Sequence, residues 1–185
     1  MIAVDLTLQA HRQRLGLKGP RAAQWLTAHG IPLPAAPNTW VHAGETFTAD
    51  GLLVARLGTA EFFLEEGNGE TTLRRLSPSL EEQVPGVYPV LREDWSFHLG
   101  GERVHEVLEQ VCNVNFAALP LDARPLIMTL MIGVAVLIVP QSAGNAGAAE
   151  RQYRIWCDPT FGPYLGESLG AVANECGGRY TGSSQ

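Results

Sequence analysis

An internal repeat with an offset of 82 residues constrains the fold of this chain more than any other sequence feature. Residues 14–21 align with residues 96–103 at that offset, so that Gly19 meets Gly101 and Arg21 meets Arg103. Self-similarity at a fixed spacing indicates that one structural unit occurs more than once. The sequence therefore predicts two diverged copies of a single unit.

Each copy reads as a short strand, a glycine and a helix. In the second copy Val104, Val107, Leu108 and Val111 recur at the spacing of one helix face. The matching positions of the first copy are Ala22, Trp25, Leu26 and His29. The shared pattern predicts that both helices lie against a sheet.

Strands follow the helix in both copies. The first copy has predicted strands near Val41, at 52–57 and at 61–64, with Gly58 as an interruption and a turn at 66–69. The second has predicted strands at 126–131, 134–139 and 153–157, a mobile loop at 141–150, a last helix at 159–173 and a flexible tail at 177–185. This order predicts an α+β fold of duplicated β-α-β-β(-α) halves.

The seam between the copies is short. Pro85-Gly86 and Tyr88-Pro89 separate pseudo-repeats of about 5–84 and 90–176. A seam of this length favours one domain over 1–185, with two halves packed around one core.

Composition excludes several functional classes. The formal net charge is -6 and no basic block is present, which argues against nucleic-acid binding. The apolar run 126–140 is shorter than the ~18 residues of a membrane span and fits two buried strands better. The first residues lack a basic stretch typical of a signal peptide, and three dispersed cysteines fit a reducing compartment, so we expect a cytoplasmic protein.

Familiar catalytic and metal-binding motifs are absent from the sequence. There is no Walker loop, no G-x-G-x-x-G, no G-x-S-x-G and no H-E-x-x-H. His98 and His105 lie near Glu102 and Glu106, but without an established ligand spacing, so solvated side chains are favoured over a metal site. The four tryptophans favour core packing over an aromatic ligand platform. We expect no catalytic residues and no metal.

The candidate ligand-binding residues are Arg56, Gly58 and Glu61. Gly58 permits a bulge or the close approach of a ligand, and a cation and a carboxylate flank it in an otherwise apolar run. The expected counterpart, Ile132–Val136, keeps the glycine but has neither charge. A retained ligand site is one interpretation, and an exposed ion pair on a hairpin is the other.

Several segments resemble the gamma subunit of heterotetrameric sarcosine oxidase. They are Val4 to Leu6, Leu17 to Leu26, Leu33 to Trp40, Arg56 to Phe62, Asp94 to Phe116 and Tyr153 to Leu169. That subunit is similar to the folate-binding region of the glycine-cleavage T protein, an aminomethyltransferase.

The resemblance implies an α+β fold of the T-protein and tRNA-modification-GTPase folate-domain type, and a link to one-carbon chemistry with tetrahydrofolate. The T-protein pattern of Arg-x-Gly, Gly-Glu and Phe-Glu is echoed by Arg56, Gly58, Glu61 and Phe63. In that family the glutamate holds the pterin edge, a role that the resemblance gives to Glu61 with Arg56 as a weaker neighbour. The acidic stretch that supplies the T protein's catalytic aspartate has no equivalent here, and the chain is about half that enzyme's size.

Three functions remain open at this point. The leading one is a non-catalytic subunit that docks on a larger flavin amine-oxidase subunit, binds no flavin by itself and has no turnover when isolated. The second is a small folate-dependent aminomethyltransferase-like protein with its own pocket. The third is a homo-oligomer that kept the fold and lost the ligand.

Overall fold

The computed structural model describes residues 3–9, 12–43, 51–67, 71–142 and 151–182. The chain divides into two compact units. We call His11–Arg92 the continuous unit, and Met1–Ala10 together with Glu93–Gln185 the discontinuous unit.

The described residues form strands and helices in an alternating order. In chain order they are β1 (Asp5–Gln9), β2 (Arg14–Lys18), α1 (Ala22–Ala28), β3 (Thr39–Ala43), β4 (Leu52–Gly58), β5 (Glu61–Glu65), α2 (Thr72–Glu81), β6 (Tyr88–Val90), β7 (Trp95–Gly100), α3 (Val104–Val111), β8 (Ile127–Met131), β9 (Val134–Ser142), β10 (Arg151–Cys157), α4 (Gly162–Glu175) and β11 (Arg179–Thr181). Short 3-10 turns cover Phe116–Ala118, Leu121–Ala123 and Pro159–Phe161.

Each unit has one sheet within the described ranges. The continuous unit's sheet has the order β3-β4-β5-β2-β6, and all of its strand pairs are antiparallel. The discontinuous unit's sheet has the order β11-β1-β7-β10-β9-β8, in which the pair β1–β11 is parallel and the other pairs are antiparallel. The predicted α+β class is confirmed.

Each unit also has a hydrophobic cluster of its own, and the expectation of one domain around a single core stays a prediction. In the continuous unit, α1 and α2 contribute Trp25, Leu26 and Leu76 to a cluster with Phe62 and Leu64 of β5. In the discontinuous unit the four valine and leucine residues predicted on one face of α3 are all buried in a second cluster with β7, β9, β10 and α4. The 3.6-residue periodicity therefore identified the buried face of α3 correctly.

The two sheets repeat one order of elements. The series β2-α1-β3-β4-β5-α2 matches β7-α3-β8-β9-β10-α4, and corresponding strands have corresponding neighbours. The strand that precedes each series is exchanged, since β1 pairs with β7 and β6 pairs with β2. This arrangement is compatible with the predicted duplication, which stays a prediction.

Gly19 and Gly101 make equivalent turns between strand and helix. Their φ values are +121° and +114°, in the region that side chains rarely adopt. A Cβ at Gly19 would lie 2.3 Å from the Gly86 oxygen, and one at Gly101 would lie 2.6 Å from the Ala3 oxygen. Two residues later, the backbone N–H groups of Arg21 and Arg103 donate to these same oxygens at 3.0 and 2.8 Å. The glycines thus let the exchanged strands approach the helix starts.

Several local expectations differ from the structure. Helix α2 was not predicted; a carboxylate oxygen of Glu66 accepts the Leu73 N–H at 2.5 Å and satisfies a donor of its first turn. Residues 141–142 belong to β9, while 143–150 lie outside the described residues. In the predicted flexible tail, β11 pairs with β1, and residues 183–185 lie outside the described residues.

Strand β8 differs from the predicted pair of buried strands. It forms one end of its sheet, and its Met128 and Leu130 side chains are 54% and 62% exposed. Strand β9, in contrast, lies between β8 and β10 and buries Val134, Val136 and Ile138. The apolar run therefore forms one interior strand and one edge strand.

Candidate functional site

The candidate ligand residues lie on the hairpin that joins β4 to β5. Gly58 pairs with Glu61 across the turn, and the register shifts between Arg56 and Gly58. The Ala60 carbonyl in the turn accepts the N–H of Gly19 at 3.0 Å. The hairpin is therefore anchored to the turn that precedes α1.

Arg56 is bound to backbone oxygens of two loops. Its guanidinium donates to the Pro34 and Ala35 carbonyls, each at 3.3 Å, and to the Gly58 and Thr59 carbonyls at 3.3 and 3.2 Å. It also lies 5.8 Å from the centre of the Phe62 ring. A guanidinium carries five N–H donors, and these contacts hold the loop before β3 against the hairpin.

Glu61 lies on the other face of the same sheet. Arg56 pairs with Phe62, so the two share a face, and the side chain of the adjacent Glu61 points the opposite way. The Glu61 carboxylate Oε1 is 3.1 Å from the Lys18 Nζ and 4.0 Å from an Arg92 guanidinium nitrogen. The structure therefore does not bring Arg56 and Glu61 together, and the binding role of both stays a prediction.

Gly58 leaves space on its outer side. A Cβ at this position would meet only the Cβ of Glu61, at 3.8 Å, which is an ordinary contact. No described residue therefore comes so close to Gly58 that a side chain could not be placed there.

Arg92 is not among the residues that the sequence predicts for the site. Its guanidinium lies 5.5 Å from the centre of the Phe63 ring, in cation–π range, and reaches toward Glu61. It can do so because Gly16 has no side chain: a Cβ there would lie 2.9 Å from the Val90 Cβ and 3.2 Å from the Arg92 Nε. The signal in the sequence is a glycine inside a strand, which marks a close approach.

A buried ion pair lies farther along the same face. Arg14 Nε donates to the Glu65 Oε2 at 2.5 Å, and the two side chains are 6% and 0% exposed. The residues pair across β2 and β5, two strand positions beyond Gly16 and Phe63 and therefore on the same face. This face of the sheet therefore carries charges of both signs from Arg14 to Glu61.

The topology changes which residue of the second sheet corresponds to Glu61. Strands β4 and β5 match β9 and β10, and Glu61 pairs with Lys18 as Gln152 pairs with Gly100. Gln152 is therefore the counterpart of Glu61, and the predicted match to Ile132–Val136 is wrong, because that segment belongs to the β8–β9 turn. The carboxylate has a neutral amide counterpart, whose oxygen lies 3.1 Å from the His98 Nε2.

The two histidines near α3 are half-buried and not solvated as predicted. His105 Nε2 lies 2.7 Å from the Tyr153 hydroxyl, and Arg151 donates to the Phe116 carbonyl at 2.7 Å. Burial, and then the positive charge of Arg151, lower the pKa of His105, although Glu109 opposes this. Burial also raises the pKa of Tyr153, and a hydrogen bond from Arg151 acts in the other direction.

No cluster of three or more His, Cys, Asp or Glu side chains that could hold a metal occurs in the described ranges. Among the helices of those ranges, none combines the length and the apolar character needed to cross a membrane.

Comparison with known proteins shows the fold. No family model matches the sequence, and no curated protein matches it significantly. A chain of the heterotetrameric sarcosine oxidase from Corynebacterium sp. U-96, in complex with pyrrole 2-carboxylate, is similar in structure with a TM-score of 0.68. The match has 24% sequence identity and covers 94% of this chain and 85% of that one.

The glycine cleavage system aminomethyltransferase T from Bartonella henselae is similar with a TM-score of 0.63 and 15% identity. The match covers 98% of this chain but only 48% of the aminomethyltransferase, so this chain spans about half of its length. The two matches confirm the fold predicted from the sequence resemblance: an α+β fold that is shared with a sarcosine oxidase chain and with part of a T protein.

Proposed function

We propose that this chain is a non-catalytic subunit of an amine-oxidising complex and that it is linked to one-carbon chemistry. The observation that carries the proposal is the extent of the structural match to a chain of a heterotetrameric sarcosine oxidase, since nearly all of this chain aligns with most of that one. A match of that extent supports the proposal that this chain is a whole subunit and that it occupies a similar position in a complex.

The residues of the chain support a role in which catalysis lies elsewhere. In the described ranges, the charged residues near the hairpin engage each other or backbone oxygens, as Arg56 and the Arg14–Glu65 pair do. A catalytic acid or base must reach a substrate proton within hydrogen-bond distance. The proposed partner is a larger flavin-binding subunit, and the proposed ligand, tetrahydrofolate, lies at Glu61.

The test is purification of the tagged chain from the cells that produce it. We expect a larger subunit in fixed stoichiometry, with flavin absorbance and sarcosine oxidation in the complex and neither in the isolated chain. A homo-oligomer without a larger partner would contradict the proposal.

The second candidate is an aminomethyltransferase-like protein with its own pocket, because 98% of the chain aligns with the T protein. Folate-dependent turnover by the isolated chain would favour it. In that case turnover should be lost in a Glu61→Gln variant and kept in an Arg75→Met variant, whose side chain is exposed on α2.

A further inference from the structure

We infer that Arg92 is a second ligand-binding residue, which with Glu61 selects a planar ligand edge that carries two hydrogen-bond donors beside one acceptor. This inference rests on the proposed folate site and specifies its chemistry. The amino-pyrimidinone ring of a pterin has such an edge, formed by its 2-amino group, its ring N–H and its 4-oxo group.

The charged groups of Glu61 and Arg92 complement such an edge. An ionised carboxylate only accepts hydrogen bonds, and a guanidinium only donates them. The Arg92 nitrogen lies 4.0 Å from the Glu61 Oε1, which is beyond hydrogen-bond distance and within the width of one ring edge. The pair therefore presents two acceptor positions followed by a donor.

The Glu61 carboxylate is accessible to a ligand. Its side chain is 35% exposed, and both of its ion-pair contacts reach Oε1. Lys18, the nearer cation, is about half exposed, so its side chain can move aside at little cost.

Arg92 is held more firmly than Lys18. Its side chain is 25% exposed, lies over the Phe63 ring and passes over Gly16. A Cβ at residue 16 would displace it, since the space beside the strand is filled by the guanidinium and by Val90. Gly16 and Phe63 are therefore positioning residues for Arg92.

Calorimetry with folic acid, which carries the 2-amino, ring N–H and 4-oxo groups, tests the role of Arg92. We expect Arg92→Met to bind folic acid about tenfold more weakly than the unaltered chain, because the 4-oxo group loses its donor. Gly16→Ala should weaken binding in the same way, because its Cβ would displace the guanidinium.

Two further variants separate the outcomes. Glu61→Gln should weaken the binding of folic acid about tenfold, while the exposed Arg75→Met should match the unaltered chain. An unchanged affinity of Arg92→Met for folic acid, with Glu61→Gln still weakening it, would overturn the role of Arg92 and leave the folate site. No binding of folic acid to the unaltered chain would overturn the folate site and this inference together. Thermal unfolding of each variant shows whether it is folded, and a misfolded Gly16→Ala leaves Arg92→Met as the deciding variant.

Discussion

The hydrogen bond between His105 and Tyr153 shows how a single side chain can make the stability of one unit depend on pH. It joins helix α3 to strand β10, and the Arg151 guanidinium lies close enough to disfavour a second positive charge. A guanidinium only donates, so an imidazolium beside it would leave the phenol with two donors and no acceptor. The folded chain therefore favours the neutral imidazole.

This lowered pKa predicts that stability falls on acidification. The unfolded chain binds a proton at His105 near the ordinary pKa of about 6.5, whereas the folded chain binds it only at lower pH. The contribution of His105 to the free energy of unfolding is thus fully present above pH ~6.5, and it is lost as pH falls through the pKa of the folded chain. Urea unfolding at pH 7.5 and pH 5.0 should show a larger loss of unfolding free energy for the unaltered chain than for His105→Gln.

The comparison with His105→Gln removes the contribution of carboxylates that titrate in the same range. Glutamine keeps a hydrogen-bonding side chain but does not titrate. If both chains lost the same free energy between the two pH values, His105 would have no part in the pH dependence.

At the same scale, residue types were predictable and side-chain directions were not. The sequence singled out Arg56 and Glu61 as charges in an apolar run, and both are fixed by contacts of the hairpin. Their separation onto opposite faces depends on the register of β4 against β5, including the shift after Arg56. A shift of one position moves a side chain to the other face, and no local pattern specified this register.

At the scale of the elements, the turns at Gly19 and Gly101 strongly restrict which residue types can occupy these two positions. Each glycine combines a positive φ with a carbonyl oxygen closer than a Cβ allows. Both conditions follow from the exchanged strand that passes beside the helix start.

We predict that Gly19→Ala destabilises the chain by about 2–4 kcal/mol, because it adds backbone strain to an overlap with the Gly86 carbonyl. Gly58→Ala is the matched control, since its Cβ would meet only an ordinary contact, and it should change stability by less than about 1 kcal/mol. Chemical denaturation of the two variants measures both values. Equal stabilities would show that the turn at Gly19 relaxes easily.

Elements with a strong pattern were predicted, and elements defined by distant partners were missed. Helix α3 follows from four apolar residues on one face. Helix α2 has Pro78 inside it and a first turn capped by Glu66 from the preceding loop, so its local signal is weak. Strand β11 spans only three residues and exists through its pairing with β1, at the other end of the chain.

For the whole molecule, the exchange of β1 and β6 decides which residues form one unit. Strand β1 lies between β7 and β11, and its neighbour Val4 and its own Leu6 are buried in the core of the discontinuous unit. The repeat in the sequence predicted the order of the elements, but it assigned β1 to the copy that follows it directly. Pairing over such a distance is not encoded in a local pattern.

Deleting residues 1–10 should therefore disrupt the discontinuous unit more than the continuous one. The deletion leaves β7 and β11 without the strand between them and opens a cavity in the core. Hydrogen exchange should show loss of protection in β7 and α4 and little change in β2 and β5. A synthetic peptide of residues 1–10, added to the truncated chain, should restore protection in part.

Unchanged exchange in β7 after the deletion would show that β1 contributes little to its sheet. A loss of protection of equal size in β2 and β5 would show that the two units unfold together.

The exchange of β1 and β6 also determines the order in which strands can pair during synthesis on the ribosome. The strands of the continuous unit are complete once residue 90 has emerged, whereas β1, made before all of them, has partners at Trp95–Gly100 and Arg179–Thr181. Its apolar residues must therefore remain without their final partners while the whole continuous unit is made, and its parallel neighbour follows about 170 residues after it. During that interval, residues 4–8 would offer a site to a chaperone that binds short apolar segments.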